Sequence, residues 1–214
     1  VDCLAAPLPD PGDAGGAELA VVDAASAVAR VARAEGALVR TATRVLAASA
    51  EDAERFAALY GRASASIEHA PNGTSLPEDP WLDPARRAQL KASLGFDGRP
   101  VALFVGSNHR PNQDAVDLLL DTARLRADWS FWLVGSICDY RRFRNLPANV
   151  YAIGLVAEAE LTTLLRAADA GLNPMLRGSG TNLKMLDYAA HGALVLSTEV
   201  GARGLGFAPD THYV

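Results

Sequence analysis

Residues 168 to 198 read ADAGLNPMLRGSGTNLKMLDYAAHGALVLST, and this stretch decides how the chain folds. An apolar run from Ala168 to Pro174 opens into a loop of small residues. A helical pattern from Thr181 to His191 follows, then a second apolar run from Ala193 to Thr198. Strand, loop, helix and strand in immediate succession form the repeating unit of a parallel sheet with helices on its faces. Gly178, Ser179, Gly180 and Thr181 would lead into the helix, where free backbone N–H groups and the positive end of the dipole suit a phosphate. Lys184 is expected one turn inside. The chain carries 18 arginines and two lysines, Lys91 and Lys184, so an ammonium at 184 stands against a strong preference for guanidinium. A compact point charge fits a phosphate where a planar fork needs another approach. Asp187 lies three residues on, on the same helical face, where a carboxylate can accept from the vicinal hydroxyls of a ribose. Taken alone, the motif fits equally a Gly-rich turn, a helix N-cap and a surface Lys/Asp pair.

Working outward, the same rhythm continues upstream. Apolar strands are expected at 101–106 (VALFVG), 130–135 (SFWLVG) and 149–154 (NVYAIG), with helices at about 84–94, Asn112–Arg124 and Glu158–Ala168 between and before them. Each strand ends on small or polar residues: Gly106, Ser107 and Asn108, then Gly135 and Ser136, Gly154, Pro174 and Thr198. Together these ends define the carboxyl-edge crevice of a doubly wound sheet. Further upstream, Glu18 to about Arg40 reads as a long helix, Arg44–Ser49 as a strand, Glu51–Tyr60 as a helix capped by Ser49, and 65–73 as a strand running into a turn. Prolines at 71, 77, 80 and 84 mark a linker. The expected organisation is a partial N-terminal α/β segment, 1–76, and a Rossmann-like domain with a doubly wound parallel sheet, 77–214.

Composition excludes several classes. With net charge −5 and arginines interspersed among acidic residues, the chain has no basic stripe for a nucleic-acid backbone. Cys3 and Cys138 form no CxxC and have no His at ligand spacing, so neither a disulfide framework nor a zinc site is indicated, and a cytoplasmic setting is the default expectation. No apolar run reaches the roughly 18 to 20 residues of a spanning helix. Peripheral contact at the inner face of a membrane stays open, and Arg141, Arg142 and Arg144 form a local basic cluster that reads mainly as a solvated face. A first residue that is Val and a last stretch that has not finished read as a piece of a longer protein.

The order of motifs resembles the donor-binding C-terminal half of the GT-B glycosyltransferases, most closely family 4 (group 1). FVGSNHRPNQDAVDLLL is similar to the first strand and helix of that domain, and FWLVGS to its second strand. NVYAIGLVAEAELTTLLRAADAGLNP carries the G-V…EL…AD…P segment, and GSGTNLKMLDYAAHGALVLSTEVGARGL the nucleotide-binding core. TRVLAASAEDAERFAALYG and IEHAPNG resemble the end of the acceptor domain and the linker that follows it.

The resemblance implies transfer of a sugar from a UDP-, GDP- or other nucleoside-diphosphate sugar to an acceptor hydroxyl on a glycan, lipid or small molecule, with no metal and no cofactor. Lys184, with Arg110 second, would neutralise the departing diphosphate. Gly106, Ser107 and Asn108 would meet phosphate or acceptor. Ser179, Gly180, Thr181 and Asn182 would meet phosphate or sugar, Asp187 the ribose, and Val156 would lie beside the base. Many family members carry two glutamates eight residues apart where this chain has Ser179 and Asp187, so the ribose carboxylate is kept in shortened form and the first carboxylate is absent. His109 is a further candidate, as a base for the acceptor hydroxyl, and His191 reads as a structural residue at a helix end. Two other functions share these features: a non-catalytic nucleotide-sugar-binding module or subunit that needs a separate acceptor domain, and, with less support, a sugar-nucleotide epimerase of the same fold.

Overall fold

The computed structural model describes residues 14–140, 145–178 and 180–214. Cys3, Arg141, Arg142, Arg144 and Ser179 lie outside the described residues. The chain divides into two compact units, Val1–His69 and Ala70–Val214.

The first unit contains α1 (Ala14–Thr41), β1 (Val45–Ala47), α2 (Ala50–Tyr60) and β2 (Ile67–His69). β1 and β2 pair in parallel with Val45 opposite Ile67. Ser49 caps α2 as the sequence predicts, its hydroxyl accepting from the Asp52 amide at 3.0 Å. Gly61, at φ +69°, closes the helix in the left-handed conformation that glycine adopts without penalty. Ala47, Ala53 and Ile67 form a small core against Val45, Phe56 and Ala57. The second strand is shorter than the expected 65–73. Residues 64–66 turn in a short 3₁₀ helix, with the Ser66 hydroxyl bonded back to the Ala63 carbonyl, so extended pairing starts only at Ile67.

The second unit contains α3 (Pro84–Ser93), β3 (Val101–Val105), α4 (Arg110–Leu125), β4 (Ser130–Val134), β5 (Val150–Gly154), α5 (Glu158–Ala167), β6 (Ala170–Asn173), α6 (Lys184–Ala190), β7 (Leu194–Ser197) and α7 (Glu199–Ala202). The five strands are parallel, in the order β5-β4-β3-β6-β7. Alternate residues of β3 face opposite cores. Val101 and Leu103 pack with Trp132, Leu164, Leu165, Met185 and Tyr188 on one side. Ala102 and Phe104 pack with Ala115, Val116, Leu119, Leu120 and Leu133 on the other. Both sheet faces are thus covered, which is why the strands read as unbroken apolar runs. Among the described residues no helix is long and apolar enough to cross a membrane.

Winding proceeds from β3 outward through β4 and β5, then returns to the other side of β3 for β6 and β7. The reversal places the loops after β3 and β6 side by side at the carboxyl edge, the position at which open α/β sheets leave a crevice. The strand ends are drawn together there. Gly135, at φ +103°, approaches the Gly106 carbonyl so closely that a Cβ would stand 2.3 Å from that oxygen. The opposite edge is closed by Lys91, only 7% exposed, whose ammonium meets Asp169 Oδ2 at 2.8 Å. The same oxygen accepts from the Val101 amide at 2.7 Å, tying α3 to the entrances of β3 and β6. Of the two lysines, one therefore locks the sheet's amino edge and the other stands at its carboxyl edge.

Candidate functional site

Helix α6 starts later than its sequence suggests. Gly178 and Gly180 adopt φ +140° and +72°, Asn182 Nδ2 donates to the Gly201 carbonyl at 3.0 Å, and Arg203 Nη2 donates to the Gly180 carbonyl at 2.8 Å. These bonds hold residues 180–182 in a loop fastened to the α7 region, so helical geometry begins at Lys184 and not at Thr181. Lys184 is the first residue of α6, and the glycine-rich segment precedes the helix as a loop.

Lys184 is partly buried and turned toward the loop after β3. Its Nζ lies 4.0 Å from the centroid of the Phe104 ring and donates to Asn112 Oδ1 at 3.2 Å. Burial, with no opposing carboxylate contribution, lowers its pKa to about 7. Asn112, 4% exposed, uses its other end on the loop: Nδ2 donates to the Ser107 carbonyl at 2.9 Å and stands 3.1 Å from His109 Nδ1. The Ser107 hydroxyl also reaches His109 Nδ1, at 3.1 Å. With the amide NH₂ directed at it, Nδ1 is placed to accept, which leaves Nε2 to donate.

The rest of the β3 loop is fastened to its neighbours. The Asn108 amide donates to Ser136 Oγ at 2.9 Å, and Gln113 Nε2 donates to Asn108 Oδ1 at 3.0 Å. Gly106 has no room for a side chain, since a Cβ would meet Phe104 at 2.8 Å and Asn112 Nδ2 at 3.0 Å. Arg110 opens α4 and pairs with Asp114 at 3.2 Å. Arg177, from the loop after β6, pairs with the same carboxylate at 2.5 Å. Two exposed guanidiniums from the two loops that flank the winding reversal thus converge on Asp114.

Thr181 and Asp187 are both met by the chain segment that follows residue 70. Asn72 Nδ2 donates to Thr181 Oγ1 at 2.5 Å, and Thr74 Oγ1 donates to Asp187 Oδ1 at 2.6 Å. His191 closes α6 as a structural residue, its Nδ1 2.7 Å from the Asp187 carbonyl. Val156 stands apart from these bonds, half-buried after β5 and packed against the core that contains Met185 and Tyr188. Asn112, Arg177, Asn72, Thr74 and Arg203 were not singled out from sequence. Asn112 alone left a signal, as a polar residue on the apolar stripe that continues through Ala115, Val116 and Leu119.

A parallel sheet of this order, with cationic side chains from both loops at the winding reversal, is the Rossmann-like domain of the GT-B fold. The chain belongs to the glycosyl transferases of group 1, whose family profile matches residues 99–207. Solved structures similar to it include Anabaena Alr3699/HepE in complex with UDP and glucose, at 17% identity and a TM-score of 0.64, covering 79% of this chain and 48% of that one. A glycosyltransferase from Rickettsia africae ESF-5 is similar at 17% identity and a TM-score of 0.60, covering 74% of this chain and 45% of that one. The chain therefore spans about half the length of these structures. Among curated proteins none matches it.

Proposed function

We propose that this chain carries the donor-binding half of a glycosyltransferase that moves a sugar from a nucleoside-diphosphate sugar to an acceptor hydroxyl without a metal ion. One observation carries the reading: Lys184, Arg110 and Arg177 come from the elements on either side of the β3/β6 reversal, where a diphosphate would lie. In the transfer, the acceptor oxygen bonds to the anomeric carbon as the bond from that carbon to the β-phosphate oxygen breaks. The electron pair leaves with the nucleoside diphosphate. Cationic groups set in advance around that leaving group stabilise the charge as it grows, the role otherwise open to a metal. Ser179 and Gly180, with the Thr181 and Asn182 side chains, meet phosphate or sugar, Gly106, Ser107 and Asn108 border the same space, Asp187 takes the ribose hydroxyls, and Val156 flanks the base.

His109 serves this reaction as a hydrogen-bond donor through Nε2 and not as the acceptor's base, because its lone pair is engaged by Asn112 and Ser107. The acceptor proton then passes to a phosphate oxygen of the donor. HepE was solved with UDP-glucose as well as with UDP, which supports a uridine diphosphate sugar as the first donor to try. The expected setting is the cytoplasm, with acceptors in solution or at the inner face of a membrane.

A second reading is a donor-binding module that becomes an enzyme only beside an acceptor domain. A thermal-shift screen with UDP, GDP and other nucleoside diphosphates in the presence of EDTA tests the donor assignment. At least one should raise Tm with the logarithm of its concentration. A well-folded chain that no nucleotide stabilises would overturn it. Sugar transfer by the isolated chain, measured separately, distinguishes enzyme from module.

A further inference from the structure

We infer that Asn112 is the positioning residue for Lys184: its carboxamide fixes where the ammonium points and offers it a neutral hydrogen-bond acceptor, joining the loop after β3 to the first residue of α6. The inference rests on the proposed role of Lys184 toward a diphosphate, but the geometry that supports it is independent of any ligand. Asn112 is a polar residue on the apolar face of α4 and is 4% exposed. Burying a carboxamide is costly unless both ends are bonded. Here Nδ2 is taken by the Ser107 carbonyl at 2.9 Å and Oδ1 accepts from Lys184 Nζ at 3.2 Å. The first bond sets the orientation of the amide, because only the NH₂ end can donate to a carbonyl. The oxygen is therefore left facing the lysine.

The acceptor at 112 is neutral, and that choice has a chemical consequence. A carboxylate there would form a closed ion pair and hold the lysine charged at every physiological pH. An apolar residue would leave only the Phe104 face, 4.0 Å away. The amide does neither, so the ammonium is aimed but its charge is not neutralised, and it stays available to an incoming anion. Charged and titratable groups on the surrounding elements are engaged elsewhere. Arg110 and Arg177 pair with Asp114, Asp187 is held by Thr74, His109 faces the NH₂ end of the same amide, and the buried Tyr188 hydroxyl donates to the Leu172 carbonyl. Burial alone depresses the lysine, to about 7.

With only two lysines in the chain, selective ¹³C,¹⁵N-lysine labelling gives two side-chain signals whose titration is read directly by NMR. Asn112→Asp should raise the Lys184 midpoint by about one to three pH units, the usual effect of an adjacent opposite charge, while Lys91, already paired with Asp169, does not move. Asn112→Leu should lower it, and serves as the second variant if the aspartate disturbs folding. The pH at which UDP affinity declines should shift in the same direction. An unmoved Lys184 midpoint in a folded variant would overturn the assignment of Asn112, whatever the nucleotide does. A midpoint that moves as expected in a chain that binds no nucleotide would leave Asn112 assigned and remove the donor-binding reading.

Discussion

The Lys184 ammonium sits over the face of Phe104 and within hydrogen-bond reach of Asn112, with no carboxylate among the described residues closing the pair. An ammonium kept in this way is destabilising in the empty protein and stabilising toward an anion, and both halves of that statement can be measured.

Folding should register the burial. The Lys184 pKa is lowered from 10.5 to about 7, so between these values the unfolded chain holds a proton that the folded chain has released. Stability from this group therefore rises with pH across that window, and the full penalty of burying the charge applies below about pH 7. Lys184→Met should be more stable than the parent at pH 6 in denaturant titrations, with the difference narrowing as pH climbs toward 10. A difference that is constant with pH would contradict the burial of this ammonium.

The proposed function gives Asp187 the ribose hydroxyls. Asp187→Ala should weaken UDP binding by about 1.5–3 kcal/mol, the scale of hydrogen bonds to a charged group, and should abolish the preference for UDP over its 2′-deoxy analogue. Calorimetry with both ligands checks this, and an unchanged preference would remove Asp187 from the site.

The amino edge of the sheet should be separable from the crevice. Asp169→Ala leaves the buried Lys91 ammonium unpaired and frees the Val101 amide. It should cost about 3–5 kcal/mol in urea unfolding. Nucleotide affinity, measured where the variant is still folded, should stay within a factor of about two, since the pair lies at the edge opposite the loops.

Close backbone approach at the carboxyl edge gives a steric prediction. Gly135→Ala brings a methyl group to 2.3 Å from the Gly106 carbonyl at a φ of +103°. Tm should fall, with a loss of about 1–3 kcal/mol, and nucleotide binding should weaken as the β3 loop is displaced. Gly95→Ala, at φ +81° with nothing within 4 Å of its Cβ, serves as a control with backbone strain but no clash.

The fold was legible because strands buried on both faces leave unbroken apolar runs. VALFV, SFWLV and AGLN each became strands of the sheet within a residue or two of their expected ends. The helix boundary at 181–184 was not legible. Its delay comes from bonds to Gly201 and Arg203, about twenty residues away, which no local pattern encodes. Candidate site residues were readable where their type was unusual, as with a rare lysine, and unreadable where pairing depended on topology. Arg177 is one of many arginines in the sequence. Only the winding reversal brings it to the carboxylate of Asp114 beside Arg110. Thr74 and Asn72 lie more than a hundred residues from the side chains they bond. Asn112 offered the one missed signal, a polar side chain inside an apolar helical stripe.

Calorimetric titration of UDP into the folded chain at pH 8, without divalent metal and in two buffers of different ionisation enthalpy, tests the central claim most directly. The account predicts saturable binding with proton uptake by Lys184, and a loss of about 1.5–3 kcal/mol in Lys184→Ala, in which the proton uptake disappears. Binding that is equally tight in both proteins, or no binding of UDP, GDP or any other nucleoside diphosphate by a well-folded chain, would contradict it.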